Sequence, residues 1–155
     1  MSFTRRAAVA TALVLALATP AFAQKSQAQQ DWETTQGEAL AANLKKPGWK
    51  ATPTGLQFHK VKANAKGTMP GSETAITIAY VGKNGAGTQF DSSDGFDLKV
   101  NEMVKGMREG LVMMRTGETW DFAMPAELGY GDRSGPGRPA GSALFFHVTL
   151  LKAEK

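Results

Sequence analysis

The sequence predicts an α+β fold: an antiparallel, twisted β-sheet wrapped around one short α-helix, with a further short helix near the N-terminus. Three observations carry this expectation. From Gly55 onward, apolar residues recur mostly at every second position, the rhythm of half-buried strands. One stretch, Met103 to Met114, departs from it, placing Met103, Met107, Leu111 and Met114 four, four and three residues apart, the stripe of a helix that faces a sheet. Turn signals separate the segments: Gly82 to Gly87 reads as a hairpin turn, and Thr116-Gly117-Glu118 ends the helix.

Taken in chain order, residues 1–23 read as a signal peptide rather than part of the fold. Arg5 and Arg6 form a positive n-region, Ala7 to Ala18 is apolar, and Ala21-Phe22-Ala23 supplies a small-x-small cleavage site. An apolar run of about a dozen residues is short of the about 20 needed to span a bilayer, so no stable membrane insertion is expected after cleavage. The paired arginines also permit twin-arginine export, although plain Ala and Val follow them. Residues 24–52 are read as a polar tether, Gln24 to Gln30, followed by a short helix over Asp31 to Leu44. Lys45-Lys46-Pro47-Gly48 stops that helix, and Trp32 or Leu40 is expected to pack it on the domain. Residues 53–155 form the main domain. Its strands carry Leu56 and Phe58; Ile76, Ile78 and Tyr80; Trp120, Phe122 and Met124; and Leu144, Phe146, Val148 and Leu150. Phe58, Trp120 and Phe122 are assigned wholly to the core.

Composition narrows the function. The chain has no cysteine, which removes disulfides, thiolate catalysis and Cys-bound zinc. Arg5 and Arg6 leave with the signal segment, so 16 of the 18 Lys and Arg remain against 14 acids, a net charge of +2. The lysines are scattered, and no nucleic-acid partner is expected. His59 and His147 are read as lone imidazoles on separate strands, with no metal site. Gly85-Ala86-Gly87 opens no helix and is not a phosphate cradle. No cofactor is called for.

The remaining signal is aromatic. Tyr80 shares a strand face with Ile76 and Ile78, and Phe146 shares one with Leu144 and Val148, so both point toward the core. With Phe90, Phe96, Val104 and Met107 they can line one concavity between sheet and helix. Asp91 reads locally as either a cap for the turn with Ser92 and Ser93 or a polar group at the edge of that concavity.

Over about its last hundred residues the chain resembles the FK506-binding-protein (FKBP) type of peptidyl-prolyl cis-trans isomerase, and more closely its bacterial secreted members. The resemblance rests on Gly55-Leu56-Gln57-Phe58, Ala79-Tyr80-Val81-Gly82, Gly87-Thr88-Gln89-Phe90-Asp91-Ser92-Ser93, Val104-Lys105-Gly106, Gly110-Leu111, Pro125-Ala126-Glu127-Leu128-Gly129-Tyr130-Gly131 and Leu144-Phe145-Phe146-His147-Val148, in this order. It implies that Tyr80, Phe90, Asp91 and Tyr130 act on the substrate, with Phe96, Val104, Met107 and Phe146 as binding walls. Asp91 would be a buried carboxylate bonded to the Tyr80 hydroxyl, while the Val104 N–H and Tyr130 hydroxyl hold substrate carbonyls. Two positions depart from the family: Met107 stands where an aromatic, usually Trp, is common, and Arg138 where an aliphatic residue is. The implied protein is a periplasmic monomer acting on proline-containing unfolded or nascent exported polypeptides, with macrolides as possible inhibitors. The alternative is a weakly catalytic or non-catalytic binding module for unfolded chains.

Overall fold

A computed structural model describes residues 24–154. The expected signal segment therefore lies outside the described residues. Ten elements follow in order, two of them single 3-10 turns: α1 (Gln27–Leu44), β1 (Lys50–Ala51), β2 (Gln57–Lys62), β3 (Ala75–Asn84), β4 (Gln89–Lys99), a turn at Val100–Glu102, α2 (Lys105–Leu111), β5 (Thr119–Met124), a turn at Ala126–Leu128, and β6 (Leu144–Ala153). The strands form one sheet in the order β1-β2-β5-β6-β3-β4, and every pair is antiparallel. The antiparallel α+β arrangement of sheet and short helix expected from the alternation is thus present.

The alternating residues do what their period demands. Ile76, Ile78, Trp120, Phe122, Met124, Leu144, Phe146, Val148 and Leu150 are buried on one side of the sheet. They meet Met107, Leu111 and Met114 from the α2 region, all fully buried. Register aligns the layers: Tyr80 and Trp120 flank Val148, while Gly82 and Phe122 flank Phe146. The helix comes close because Gly110 has no side chain, and a Cβ there would stand 2.5 Å from Phe122 Cε1. Phe58 is only half-buried, stacked on Trp120 with ring centroids 5.5 Å apart.

Both helices differ from their sequence boundaries. α2 is shorter than Met103 to Met114, with Val104 as its N-cap. Its end tightens into Met113 N–H to Gly110 O and Met114 N–H to Leu111 O bonds, so Met114 still reaches the core without helical backbone. α1 begins at Gln27 rather than Asp31, so part of the expected tether is helical. The Ser26 hydroxyl accepts from Gln29 N–H at 3.2 Å and caps the helix. Trp32 and Leu40 are half-buried, and the fully buried positions of α1 are Gln36 and Asn43. Gln36 Oε1 accepts from Gly85 N–H at 2.8 Å and Ala143 N–H at 3.2 Å. Asn43 Nδ2 donates to Gln57 Oε1 at 2.9 Å, and Gln57 Nε2 donates to Leu40 O at 3.0 Å. A helix held through amides shows no apolar stripe, which is why its start was invisible to periodicity.

The histidines also differ from expectation. β2 and β6 lie on either side of β5, and register puts His59 and His147 both opposite Asp121. His147 Nδ1 lies 2.6 Å from Asp121 Oδ1, and His59 Nδ1 lies 3.7 Å from Oδ2. Residues on separate strands become one row once the strand order is known.

Candidate active site

β3 places Tyr80, β4 places Phe90, Asp91 and Phe96, the turn before α2 places Val104, the β5–β6 loop places Tyr130, and β6 places Phe146. These segments enclose a cavity of about 500 Å³ whose lining includes Tyr80, Asp91, Phe96, Val104, Tyr130 and Phe146. Six of the eight residues expected at the site therefore share one space. Tyr80 stands edge-on to Phe96 at 6.1 Å and to Phe146 at 6.2 Å, and Phe90 packs edge-on to Phe146 at 5.7 Å. Such T-shaped pairs fix ring orientation as well as filling volume.

The other two expected residues do not line the cavity. Phe90 stands behind Phe146 as a support. Met107 is fully buried and packs into the core with Leu111, four residues on along the same helix face. The face of α2 that borders the cavity carries Lys105 and Arg108 instead.

The Tyr80 hydroxyl donates to Asp91 Oδ2 at 2.7 Å. Tyr80 lies opposite Ser93 in the β3–β4 register, so Asp91 is its diagonal neighbour on the same face, within reach of a long side chain. Asp91 Oδ1 also accepts from Ser92 N–H at 2.9 Å, within β4 and not at a turn, so the turn-capping alternative is not what the strand shows. One expectation is corrected here: Asp91 is exposed rather than buried, because it lies on β4, the edge strand of the sheet. Burial, followed by the bond to Asp91, pushes the Tyr80 hydroxyl well above the ordinary phenol range. It remains a protonated donor at any physiological pH.

Two further residues of the lining carry uncommitted donors. Among the described residues, neither the Val104 N–H nor the Tyr130 hydroxyl makes a hydrogen bond within the protein. Arg138 fixes Tyr130 from behind: its guanidinium lies 3.7 Å from the Tyr130 ring centroid and 6.0 Å from that of Phe90. Arg138 Nη1 also donates to Arg133 O, and a tight turn links Gly135 to Arg138. The cation at an expected aliphatic position thus joins the β5–β6 loop to the wall of β4 through cation–π contact. Glu102, Met103, Lys105, Arg108, Gly129 and Arg133 complete the lining and were not anticipated. Lys105 directly follows Val104, but only the closure of the loop onto α2 shows that it borders the site.

Comparison with known proteins shows the family and the fold. Residues 66–151 match the family model described as FKBP-type peptidyl-prolyl cis-trans isomerase. The chain is 36% identical over 122 residues to FKBP-type peptidyl-prolyl cis-trans isomerase FkpA of Aeromonas hydrophila, covering 76% of this chain and 45% of that protein. It is 36% identical over 118 residues to the FKBP-type 22 kDa peptidyl-prolyl cis-trans isomerase of Escherichia coli (strain K12), covering 73% and 57%. The crystal structure of FkpA from Escherichia coli superposes with a TM-score of 0.76 at 30% identity, covering 81% of this chain and 60% of that one. The chain spans about half the length of the curated relatives it matches. By its family match, its relatives and its fold, this chain belongs to the FKBP-type peptidyl-prolyl cis-trans isomerase family.

Proposed function

We propose that the protein is a periplasmic prolyl isomerase that speeds the folding of exported polypeptides, working as a monomer without a cofactor. The observation that carries this reading is the convergence of Tyr80, Phe96, Tyr130 and Phe146 on one cavity, with the Tyr80–Asp91 bond at its edge. Rotating an X–Pro amide meets a barrier of about 18–20 kcal/mol because resonance is broken. Uncatalysed, exchange takes tens to hundreds of seconds. No bond between heavy atoms forms, so the reaction needs neither nucleophile nor metal. The planar amide is the more polar state, and the aromatic walls of the cavity disfavour it relative to the twisted one. The proline ring enters between Tyr80, Phe96 and Phe146, while the Val104 N–H and the Tyr130 hydroxyl hold flanking carbonyls and Asp91 keeps Tyr80 oriented. Lowering the barrier by about 5–6 kcal/mol brings the rate to the order of 100 per second.

The signal-like residues 1–23 support export. Macrolides that mimic a prolyl amide would occupy the same cavity. The test is refolding of a proline-limited protein with and without the mature chain. Acceleration that falls at least tenfold in Tyr80→Phe with Asp91→Val supports the reading, and no acceleration by the wild type removes it. One observation favours a second reading, a binding module with little turnover: Met107 is sealed in the core and offers the cavity no aromatic face. That reading expects unfolded chains to bind without faster isomerisation.

A further inference from the structure

Asn84 ends β3 on the sheet face that carries Tyr80, four residues before it, and only 3% of it is exposed. Both ends of its amide are engaged. Oδ1 accepts from Ala86 N–H at 2.9 Å and Thr88 N–H at 3.1 Å, which closes the β3–β4 hairpin. Two N–H donors on one atom identify that atom as the oxygen. The nitrogen, Nδ2, donates to Gly137 O at 2.9 Å, 53 residues on in the β5–β6 loop. That loop needs a tether: Gly131, Gly137 and Gly141 all have positive φ, and glycine leaves such conformations as readily as it adopts them. The peptide unit between Gly137 and Arg138 is held from both sides. Asn84 binds its carbonyl, and the Arg138 N–H donates to Gly135 O at 2.9 Å. From that fixed unit the Arg138 guanidinium lies over the Tyr130 ring, 3.7 Å from its centroid. Gln36 of α1 joins the same hairpin to the base of the same loop, since its Oε1 accepts from both Gly85 N–H and Ala143 N–H.

We propose that Asn84 is a positioning residue for the isomerisation: through Gly137 and Arg138 it fixes Tyr130 so that the hydroxyl meets a substrate carbonyl. The proposal rests on the isomerase reading and adds to it a residue outside the cavity lining. Burying an amide beside apolar neighbours is costly unless its hydrogen bonds are made, so the hairpin and the loop tether form together. The tether acts on binding. The carbonyl that Tyr130 holds flanks the rotating bond and is held alike in the planar and twisted states. Loss of the tether therefore raises KM and leaves kcat nearly unchanged. One hydrogen bond from a hydroxyl to a carbonyl sets the size, a factor of about three to ten.

The test uses the mature chain, a proline-containing peptide and Asn84→Asp. Aspartate keeps an acceptor for the Ala86 and Thr88 N–H groups but turns an oxygen without a proton toward Gly137 O, so the tether alone is lost. KM should rise about three- to tenfold, with kcat held within about twofold. A merely structural fault would instead remove active protein and lower kcat at constant KM. Ala86→Asp, which adds the same charge at an exposed position of the hairpin, should leave KM unchanged. In a Tyr130→Phe background the Asn84→Asp penalty should shrink below about twofold, because the hydroxyl through which it acts is gone. The chain has two tyrosines, so Tyr130→Phe also assigns the Tyr130 ring signals in NMR spectra. Those signals should shift in Asn84→Asp, while the signal of the buried Trp120 indole stays in place. An unchanged KM, or a penalty as large without the Tyr130 hydroxyl, overturns the proposal. Should Asn84→Asp not fold, Arg138→Ala cuts the same line of contacts on the loop, and an unchanged KM there overturns it equally. Should the wild type accelerate no peptide, the isomerase reading is what fails, and stationary Tyr130 signals in Asn84→Asp then overturn the tether as well.

Discussion

A single methyl group placed at Gly82 tests whether the aromatic walls work as a set. Gly82 is buried in β3 between Phe146 of β6 and Asp91 of β4. A Cβ there would stand 2.7 Å from Phe146 Cε1 and 2.9 and 3.1 Å from Phe90 Cζ and Cε2. Carbon atoms rest at about 3.5–4.0 Å, so in Gly82→Ala both rings must retreat by roughly 0.5–1 Å. Overpacking of this kind costs about 1–3 kcal/mol, offset by about 0.5–1 kcal/mol from the lower entropy of the unfolded alanine chain. The net loss of about 0–2.5 kcal/mol lowers Tm by up to roughly 10 °C in a domain of this size. Activity should suffer more, because Phe146 is itself a cavity wall set against Tyr80, and misplacing a site group by about 1 Å can cost up to a hundredfold. We expect kcat/KM to fall tenfold or more while the folded fraction at assay temperature stays near one. Gly87→Ala is the control. Gly87 sits at φ +85 with open space around it, so alanine brings backbone strain of about 1–2 kcal/mol without touching an aromatic ring. That variant should lose stability and keep its kcat/KM. Full activity and an unchanged Tm in Gly82→Ala would refute the view that Phe90 and Phe146 are held in place by close contact.

Two further outcomes follow from buried polar groups. Glu118 is 5% exposed and accepts from Arg115 N–H at 2.9 Å, Asn64 N–H at 3.2 Å and Trp120 Nε1 at 3.0 Å. Burial pushes its carboxyl up, but the three donors outweigh this and hold it below the ordinary carboxylate range. A depressed folded-state value means the stabilisation is complete above the unfolded carboxylate pKa of about 4.3 and is lost as pH falls through the folded one. Urea midpoints should therefore drop on acidification below about pH 4.3, and Glu118→Gln should flatten that slope; parallel curves for the two proteins count against this assignment. Gln36→Ala should strip the acceptor from Gly85 N–H and Ala143 N–H and cost about 1–3 kcal/mol per orphaned group, read as a lower urea midpoint. An unchanged midpoint would show that α1 docks by other means.

Much of the fold was legible because strand burial has a period of two. Ile76 and Ile78, then Trp120, Phe122 and Met124, and then Leu144, Phe146, Val148 and Leu150 lie on the buried face their alternation predicts. The site was legible to the extent that its walls sit on those same strands: Tyr80 and Phe146 followed from strand parity. Phe90 and Met107 fall outside the cavity lining for the same reason in reverse. Aromatic or apolar character says that a side chain avoids water, and it does not say whether the side chain reaches a cavity or supports its wall. The start of α1 escaped because its contacts are amide bonds from Gln36 and Asn43, which leave no mark on hydrophobic periodicity.

The sequence by itself determined the class of fold, the absence of thiol chemistry and the set of aromatics from which the cavity is built, since these depend on composition and local period. Only the tertiary structure decided the rest: Asp91 on an open edge, the two histidines sharing Asp121, Arg138 braced on Tyr130, and the ring of Lys105, Arg108 and Arg133. Each joins residues from different elements, or depends on which strand lies at the sheet's edge. Local propensity acts over a few residues, whereas strand order and loop closure set what meets across dozens of them.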